Sequence, residues 1–590
     1  MRGLLVIIRS TGRTPIRKRV VGRKRVVGMA ALAAGLALVA STQLATTDLA
    51  RADSGQPAGT TSTSAKEAAR VDAVPTPDLD WYACNEFPGA DCATAKLPRD
   101  YDQPKGEKTE VAITRLPAKD QKNKIGSIFV NPGGPGGSST AMAADADSLF
   151  TAEVRKKFDI VGVDPRGTNF SEQVKCFPDA REQQPVLEKL GIGIPNTDKE
   201  IKQYSQGARQ LGEACSDYGK KIAGSMSTAE TARDMDVIRR AVGDKKLTYL
   251  GFSYGSYLGQ VYANLFPDRV RSVVIDGVLD PVGWAGTEKT KDQPQTLRIK
   301  SGEGADRAMK ELLSRCDEAG KKECAFASED SVQKFDTLVE RAKKKPITIE
   351  DPDAGPVKVT YQMLISTELS ALYGSTGFDE VMASLQQLWE ASDPAAKKIT
   401  RTPAPTGFPY NNYTEAFTSV LCTDSVNPSK VGAWEKAMDN IDPAAKFFGP
   451  SWGWASAPCA DKTWTVEDED SYRGPFNAKT SGPVLVVGNY WDPATNYRGA
   501  EAAADLLPNS RLLLSDSWGH TAYGTSACAT QAVTDALLDA KMPAEGTRCV
   551  GDDKPFGLGT PTPSKQRTEQ ATGVDPDAVE KVLRSQPGTF

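Results

Sequence analysis

Short apolar runs alternate along this chain with amphipathic stretches of helical period. Residues 111–116 alternate apolar and polar side chains as a half-buried strand does. Residues 127–130 and 158–163 are instead continuous apolar runs, the pattern of strands buried on both faces of a sheet. The next clear element is a helix, announced by Ser227 and Glu230 in capping-box spacing, carried by Ala232, Met235, Ile238 and Val242, and stopped at Gly243. A strand over 247–250, a helical run over 256–263 halted near Pro267, and a strand over 272–276 follow.

The strand pattern resumes only at 483–488, a gap of roughly 200 residues that is too long for a loop. Helix-like periods around 308–316, 331–343 and 378–389 fill part of it, so a mostly helical cap is expected between two strands of the core. Strands alternating with helices on both sides of the cap predict an α/β protein with a mostly parallel sheet and helices on its faces. The expected organisation is a signal peptide at 1–52, a flexible leader or propeptide at 53–77, and a first core part at 78–280. The cap at 281–475, a second core part at 476–550 and a loosely held tail at 551–590 complete it.

Length supports that division, since 590 residues exceed what one hydrophobic core usually holds. The basic first 25 residues, the apolar run 26–40 and Ala50-Arg51-Ala52 read as a secretory signal rather than a membrane anchor, the run being short of the roughly 20 residues a spanning helix needs. Its removal would take away ten Lys or Arg and one Asp and turn the formal charge of −4 into −13. So acidic a surface disfavours nucleic acid, which is bound through clustered Lys and Arg. Ten cysteines in an exported chain imply disulfides, and neighbours in sequence suggest Cys84 with Cys92, Cys176 with Cys215, Cys316 with Cys324, Cys422 with Cys459 and Cys528 with Cys549, although sequence leaves the connectivity open. There is no C-x-x-C pair and only one histidine, so neither a zinc site nor another cofactor is expected.

That histidine, His520, is the one imidazole available for catalysis at neutral pH. Gly251-Phe252-Ser253-Tyr254-Gly255 is a G-x-S-x-G turn between an apolar strand and a helix, the setting that exposes a nucleophilic serine. A second copy around Ser451 has Pro450 in the turn and neither strand nor helix around it, and is set aside. Ser253 as nucleophile and His520 as base call for a carboxylate to orient the imidazole. Asp492 follows a predicted strand and precedes His520 by 28 residues, with Asp276 and Asp516 as alternatives. The glycine-rich loop Asn131-Pro132-Gly133-Gly134-Pro135-Gly136-Gly137 follows the strand at 127–130. Gly134 N–H and Tyr254 N–H are the expected oxyanion donors; no Gly-Lys-Ser or Gly-Lys-Thr follows to make the loop a phosphate cradle.

Together with Asp164-Pro165-Arg166-Gly167, these motifs, in their order and spacing, resemble the secreted bacterial tripeptidyl aminopeptidases. Those enzymes are relatives of the prolyl aminopeptidases within the α/β-hydrolase fold. The resemblance runs from about residue 80 to about residue 550. It implies an extracellular serine exopeptidase that releases short peptides from a free N-terminus, cap carboxylates holding the substrate's ammonium group. Prolyl aminopeptidases carry His-Gly-Gly-Pro-Gly at the oxyanion loop, whereas this chain places Asn131-Pro132 ahead of its glycines. The same triad would serve a carboxylesterase or lipase, and a non-catalytic exported binding protein is the third reading. A neutral histidine is required of a base, so activity should decline on acidification through about pH 6.5.

Overall fold

The computed structural model describes residues 59–351, 355–392, 410–557 and 572–584. The expected signal peptide lies outside the described residues. The strands are β1 (Tyr82–Ala83), β2 (Asp91–Pro98), β3 (Lys108–Leu116), β4 (Gly126–Asn131), β5 (Phe158–Val163), β6 (Leu247–Phe252), β7 (Val270–Asp276), β8 (Ile347–Asp351), β9 (Gly355–Val359), β10 (Val484–Trp491), β11 (Ser510–Trp518) and β12 (Arg548–Val550). Ten of them form one sheet in the order β1-β2-β3-β5-β4-β6-β7-β10-β11-β12. Pairing is antiparallel from β1 to β5 and parallel from there to β12.

Successive residues of a strand face opposite sides, and β6 shows what each side meets. Leu247 and Tyr249 join a core shared with Met235 and Ile238 of the helix Thr228–Ala241; Leu250 and Phe252 join one shared with Val533 and Leu537 of the helix Ala527–Asp539. Helices cover both faces, which is why these strands read as unbroken apolar runs. The chain passes from β4 outward to β5 and returns to β6 on the other flank of β4. Strand order therefore reverses beside β4, and a crevice at the carboxyl ends of strands is expected at such a switch point.

Between β7 and β10 the described chain is mainly helical, with one antiparallel hairpin, β8–β9. It builds its own core from residues such as Leu312, Phe335, Leu338, Leu364, Met382 and Leu385. The helices Ala180–Leu190 and Asp198–Asp217 lie between β5 and β6 in sequence, within the stretch expected as core. Tyr204 and Ala208 of the second helix nevertheless pack on Trp434, Trp454 and Ala457 of the inserted region.

Two segments expected to be loose contain docked helices. Ala65–Asp72, in the predicted leader, is capped by Ser64 and buries Glu67, Arg70 and Val71. Arg70 bonds Glu67 at 2.6 Å and Asp470 at 2.8 Å and also pairs with Asp102, contacts that composition does not announce. Pro576–Arg584, in the tail, buries Val579, Val582 and Leu583. All ten cysteines pair as neighbours in sequence. The capping box at Ser227 is half formed: Ser227 accepts from Glu230 N–H, while the Glu230 carboxylate turns to Arg166 and Arg233 at 2.9 and 2.7 Å.

Candidate active site

Ser253 ends β6 and opens the helix Tyr254–Leu265. Its backbone is held at φ 56°, ψ −123°, a left-handed conformation that a non-glycine residue adopts only when its surroundings impose it. The imposing contacts are visible. Phe252 is in register with Asp276 of β7, and Ser253 N–H donates to Asp276 O at 3.0 Å. A Cβ at Gly255 would sit 2.6 Å from Asn131 O, so β4 and the elbow approach too closely for any side chain there.

The loop after β4 presses against this turn. Asn131 anchors it by accepting from Gly133 N–H at 2.9 Å and donating to Ser139 Oγ at 3.0 Å. Gly133, at φ +103°, leaves no room for a Cβ, which would meet Phe252 O at 2.5 Å, Ser253 Cβ at 2.7 Å and Tyr254 N at 2.9 Å. Gly134 lines the same cavity as Ser253. Neither Gly134 N–H nor Tyr254 N–H donates to a protein acceptor among the described residues. Behind the loop, the carboxyl group of Asp164 accepts from Thr140 N–H, Thr140 Oγ1 and Phe170 N–H. Burial pushes that carboxyl up to about 6 against those donors.

His520 sits on the loop after β11. Its Nδ1 is 2.8 Å from Asp492 Oδ2 and 3.0 Å from Oδ1, and both residues are buried. Asp492 also accepts from Ala494 N–H, Thr495 N–H and Thr495 Oγ1, each at 2.8 Å, and from Thr521 N–H at 3.1 Å. Burial alone would raise its carboxyl; the facing imidazole and these donors outweigh burial and hold it below the usual range. The backbone N–H of His520 donates to Tyr373 O at 3.0 Å, and the Tyr373 ring stands edge-on to the imidazole at 5.1 Å. His520 Nε2 is buried and has no hydrogen-bond partner among the described residues. Of the two alternative carboxylates, Asp276 binds the backbone N–H groups of Ala522 and Tyr523 and Asp516 binds Trp491 Nε1, so neither takes the place beside Nδ1.

Residues 126–295 match the family described as alpha/beta hydrolase fold, and residues 445–549 match the family described as TAP-like protein. A carboxylesterase B of Mycobacterium tuberculosis is 31% identical over 81% of this chain and 91% of its own length. The chain belongs to the tripeptidyl-aminopeptidase-like α/β-hydrolases. A tripeptidyl aminopeptidase of Streptomyces lividans is 29% identical over 80% of this chain and 86% of its own length. The serine protease Hip1 of M. tuberculosis is 28% identical over 80% and 91% respectively. A proline iminopeptidase structure from Mycobacterium smegmatis is 14% identical and covers 76% of this chain and 100% of its own, with a TM-score of 0.34.

In this serine hydrolase the cavity at Ser253 is small, about 40 Å³, and is walled by Leu279, Trp284, Ile299, Tyr373, Phe417, Leu421 and Trp452, with no charged side chain among the described residues that line it. Acidic residues of the inserted region are mostly committed elsewhere. Asp424 accepts from Thr228 N–H at 2.7 Å and Trp284 Nε1 at 3.1 Å; Glu415 accepts from Cys176 N–H at 2.8 Å and Gln183 Nε2 at 2.7 Å. Glu368 differs from these: it is buried, its Oε2 has no hydrogen-bond partner among the described residues, and desolvation pushes its carboxyl up to about 8. Ser451 is buried in the short helix Gly449–Gly453 and lacks the strand-to-helix turn of Ser253. Glu230, Asp468 and Asp470 bring ligand atoms within 4.8 Å of one another. Arg166 and Arg233 pair with Glu230, and Arg70 and Arg233 with Asp470, which makes this an ion-pair network.

Proposed function

We propose that the enzyme is an exported exopeptidase that removes tripeptides from free N-termini through an acyl-enzyme on Ser253. The observation that carries this reading is the pairing of His520 Nδ1 with a buried, hydrogen-bonded Asp492, which leaves Nε2 as the free basic nitrogen. With Nδ1–H committed to the carboxylate, Nε2 takes the Ser253 proton as Oγ attacks the scissile carbonyl, and the imidazolium then protonates the departing amine. Gly134 N–H and Tyr254 N–H receive the oxyanion, and a water activated by the same nitrogen releases the peptide. No hydrogen bond joins Ser253 to His520; such bonds are often long and tighten only with substrate. Five disulfides support export, and among the described residues no helix is long and apolar enough to cross a membrane.

Peptide rather than ester as substrate is supported by the relatives named as a tripeptidyl aminopeptidase and a serine protease; the relative named as a carboxylesterase favours the alternative. The deciding assay compares a tripeptide amide with a free amine, its N-blocked form and a simple aryl ester. Cleavage of the free-amine peptide, weak turnover of the blocked one, and loss of both in Ser253→Ala are expected. Ester hydrolysis with neither peptide cleaved would establish the esterase. Absence of fluorophosphonate labelling at Ser253 would leave only a binding protein.

A further inference from the structure

Asp276 is the last residue of β7 and is fully buried. It touches both halves of the proposed site. Its carbonyl oxygen accepts from Ser253 N–H at 3.0 Å, fixing the nucleophile's turn. Its carboxyl accepts from Tyr523 N–H at 2.8 Å and from Ala522 N–H at 3.1 Å, fixing the loop that carries His520 two residues earlier. The next residue, Gly277, completes the contact: a Cβ there would lie 3.0 Å from His520 Cε1 and 3.1 Å from Thr495 Oγ1.

We infer that Asp276 is a second positioning carboxylate for the reaction, one that sets the separation between Ser253 and His520 while Asp492 sets the orientation of the imidazole. The inference rests on the peptidase reading of Ser253 and His520. Without this anchor, the two buried N–H groups would lose their acceptor, and the His520 loop would keep only its ties on the side away from β7, to Tyr373 O, Asp492 and the Asn489 amide, and the Tyr523 hydroxyl bond to Leu149 O. Asp492, from the turn after β10, is the ionised group acting on the Asp276 carboxyl, and it favours the neutral acid. Desolvation pushes its carboxyl up to about 7, opposed by its N–H donors, so its charge appears as pH rises through neutrality.

The test measures kcat and KM for Asp276→Ala and Asp276→Asn, with thermal unfolding as a check on the fold. A misplacement of about 1 Å costs on the order of 100-fold, so Asp276→Ala should lose about that in kcat with KM within roughly twofold. Asp276→Asn keeps an acceptor at the Oδ2 position for Ala522 and Tyr523, so it should recover most of kcat. Should the alanine variant fail to fold, the asparagine variant alone decides. A folded Asp276→Ala with parental kcat, or a folded Asp276→Asn that itself loses about 100-fold in kcat, overturns the inference. Fluorophosphonate labelling of the parent at Ser253, abolished in Ser253→Ala, separates that result from failure of the peptidase reading itself.

Discussion

Asp492→Asn is the most informative single change, because the structure gives the carboxylate more to do than an amide can. Its two oxygens accept from His520 Nδ1, Ala494 N–H, Thr495 N–H, Thr495 Oγ1 and Thr521 N–H. An amide offers one acceptor and one donor group. Set with its oxygen toward Ala494 and Thr495, it aims N–H at Nδ1, which must then accept, leaving the proton on Nε2 and the base disabled. Set the other way, it opposes two backbone N–H groups with its own, at about 1 to 3 kcal/mol for the unsatisfied donors. The tautomer error dominates the rate. A loss on the order of 10³- to 10⁴-fold in kcat is expected, equivalent to about 4 to 5.5 kcal/mol in the barrier, with a small change in KM. The assay is steady-state hydrolysis of a free-amine tripeptide amide beside the rate of Ser253 labelling by a fluorophosphonate. A folded Asp492→Asn enzyme within tenfold of the parent, or one less impaired than Asp276→Asn, would refute the assignment.

Three further outcomes follow from particular contacts. Gly133→Ala forces a Cβ to within 2.5 Å of Phe252 O and 2.9 Å of Tyr254 N, so turnover should fall by about 10² to 10³, the usual cost of losing an oxyanion donor; undiminished turnover would mean that the loop does not serve the oxyanion. Arg70→Ala removes one of the two guanidinium partners of the buried Asp470 and Glu67, Arg233 remaining, and should cost about 1.5 to 3 kcal/mol in chemical denaturation, with deletion of the helix Ala65–Asp72 costing at least as much. Unchanged stability in both would show that the leader helix is dispensable. Glu368 is raised to about 8 in the folded state against about 4.3 in the unfolded chain. Its contribution to stability is thus present below about pH 4 and lost as pH rises through about 8, several kcal/mol in all. Glu368→Gln should therefore flatten the decline of Tm between pH 5 and 9, and an identical slope in both proteins would contradict its burial as a neutral acid.

Local chemistry made much of this molecule legible before any coordinates. The strands β4, β5, β6, β7, β10 and β11 are written as apolar runs because helices cover both faces of the sheet, and the G-x-S-x-G turn sits between a strand and a helix as its spacing requires. The sole histidine could be found by counting. The cysteines pair with their neighbours along the chain, at separations from 8 to 39 residues, which sequence could suggest but left open. Less legible were the helix Ala65–Asp72, whose hold depends on Asp102 and Asp470 far along the chain, and Pro576–Arg584, whose three buried apolar residues are hidden in a polar tail.

The sequence by itself determined which serine and which histidine could act, because a turn and a single-copy residue are properties of a short window. It could not determine which carboxylate serves the imidazole. Asp276, Asp492 and Asp516 all lie at or near the carboxyl ends of strands, and no local pattern separates them. Strand order does: β10 lies between β7 and β11, so Asp492 meets Nδ1 while Asp276 reaches the backbone of the same loop and Asp516 turns to solvent. Likewise, only packing shows that Asp424 and Glu415 are spent on buried N–H groups. A hydrogen bond between residues two hundred positions apart depends on how the sheet is assembled, and that information is spread over the whole chain.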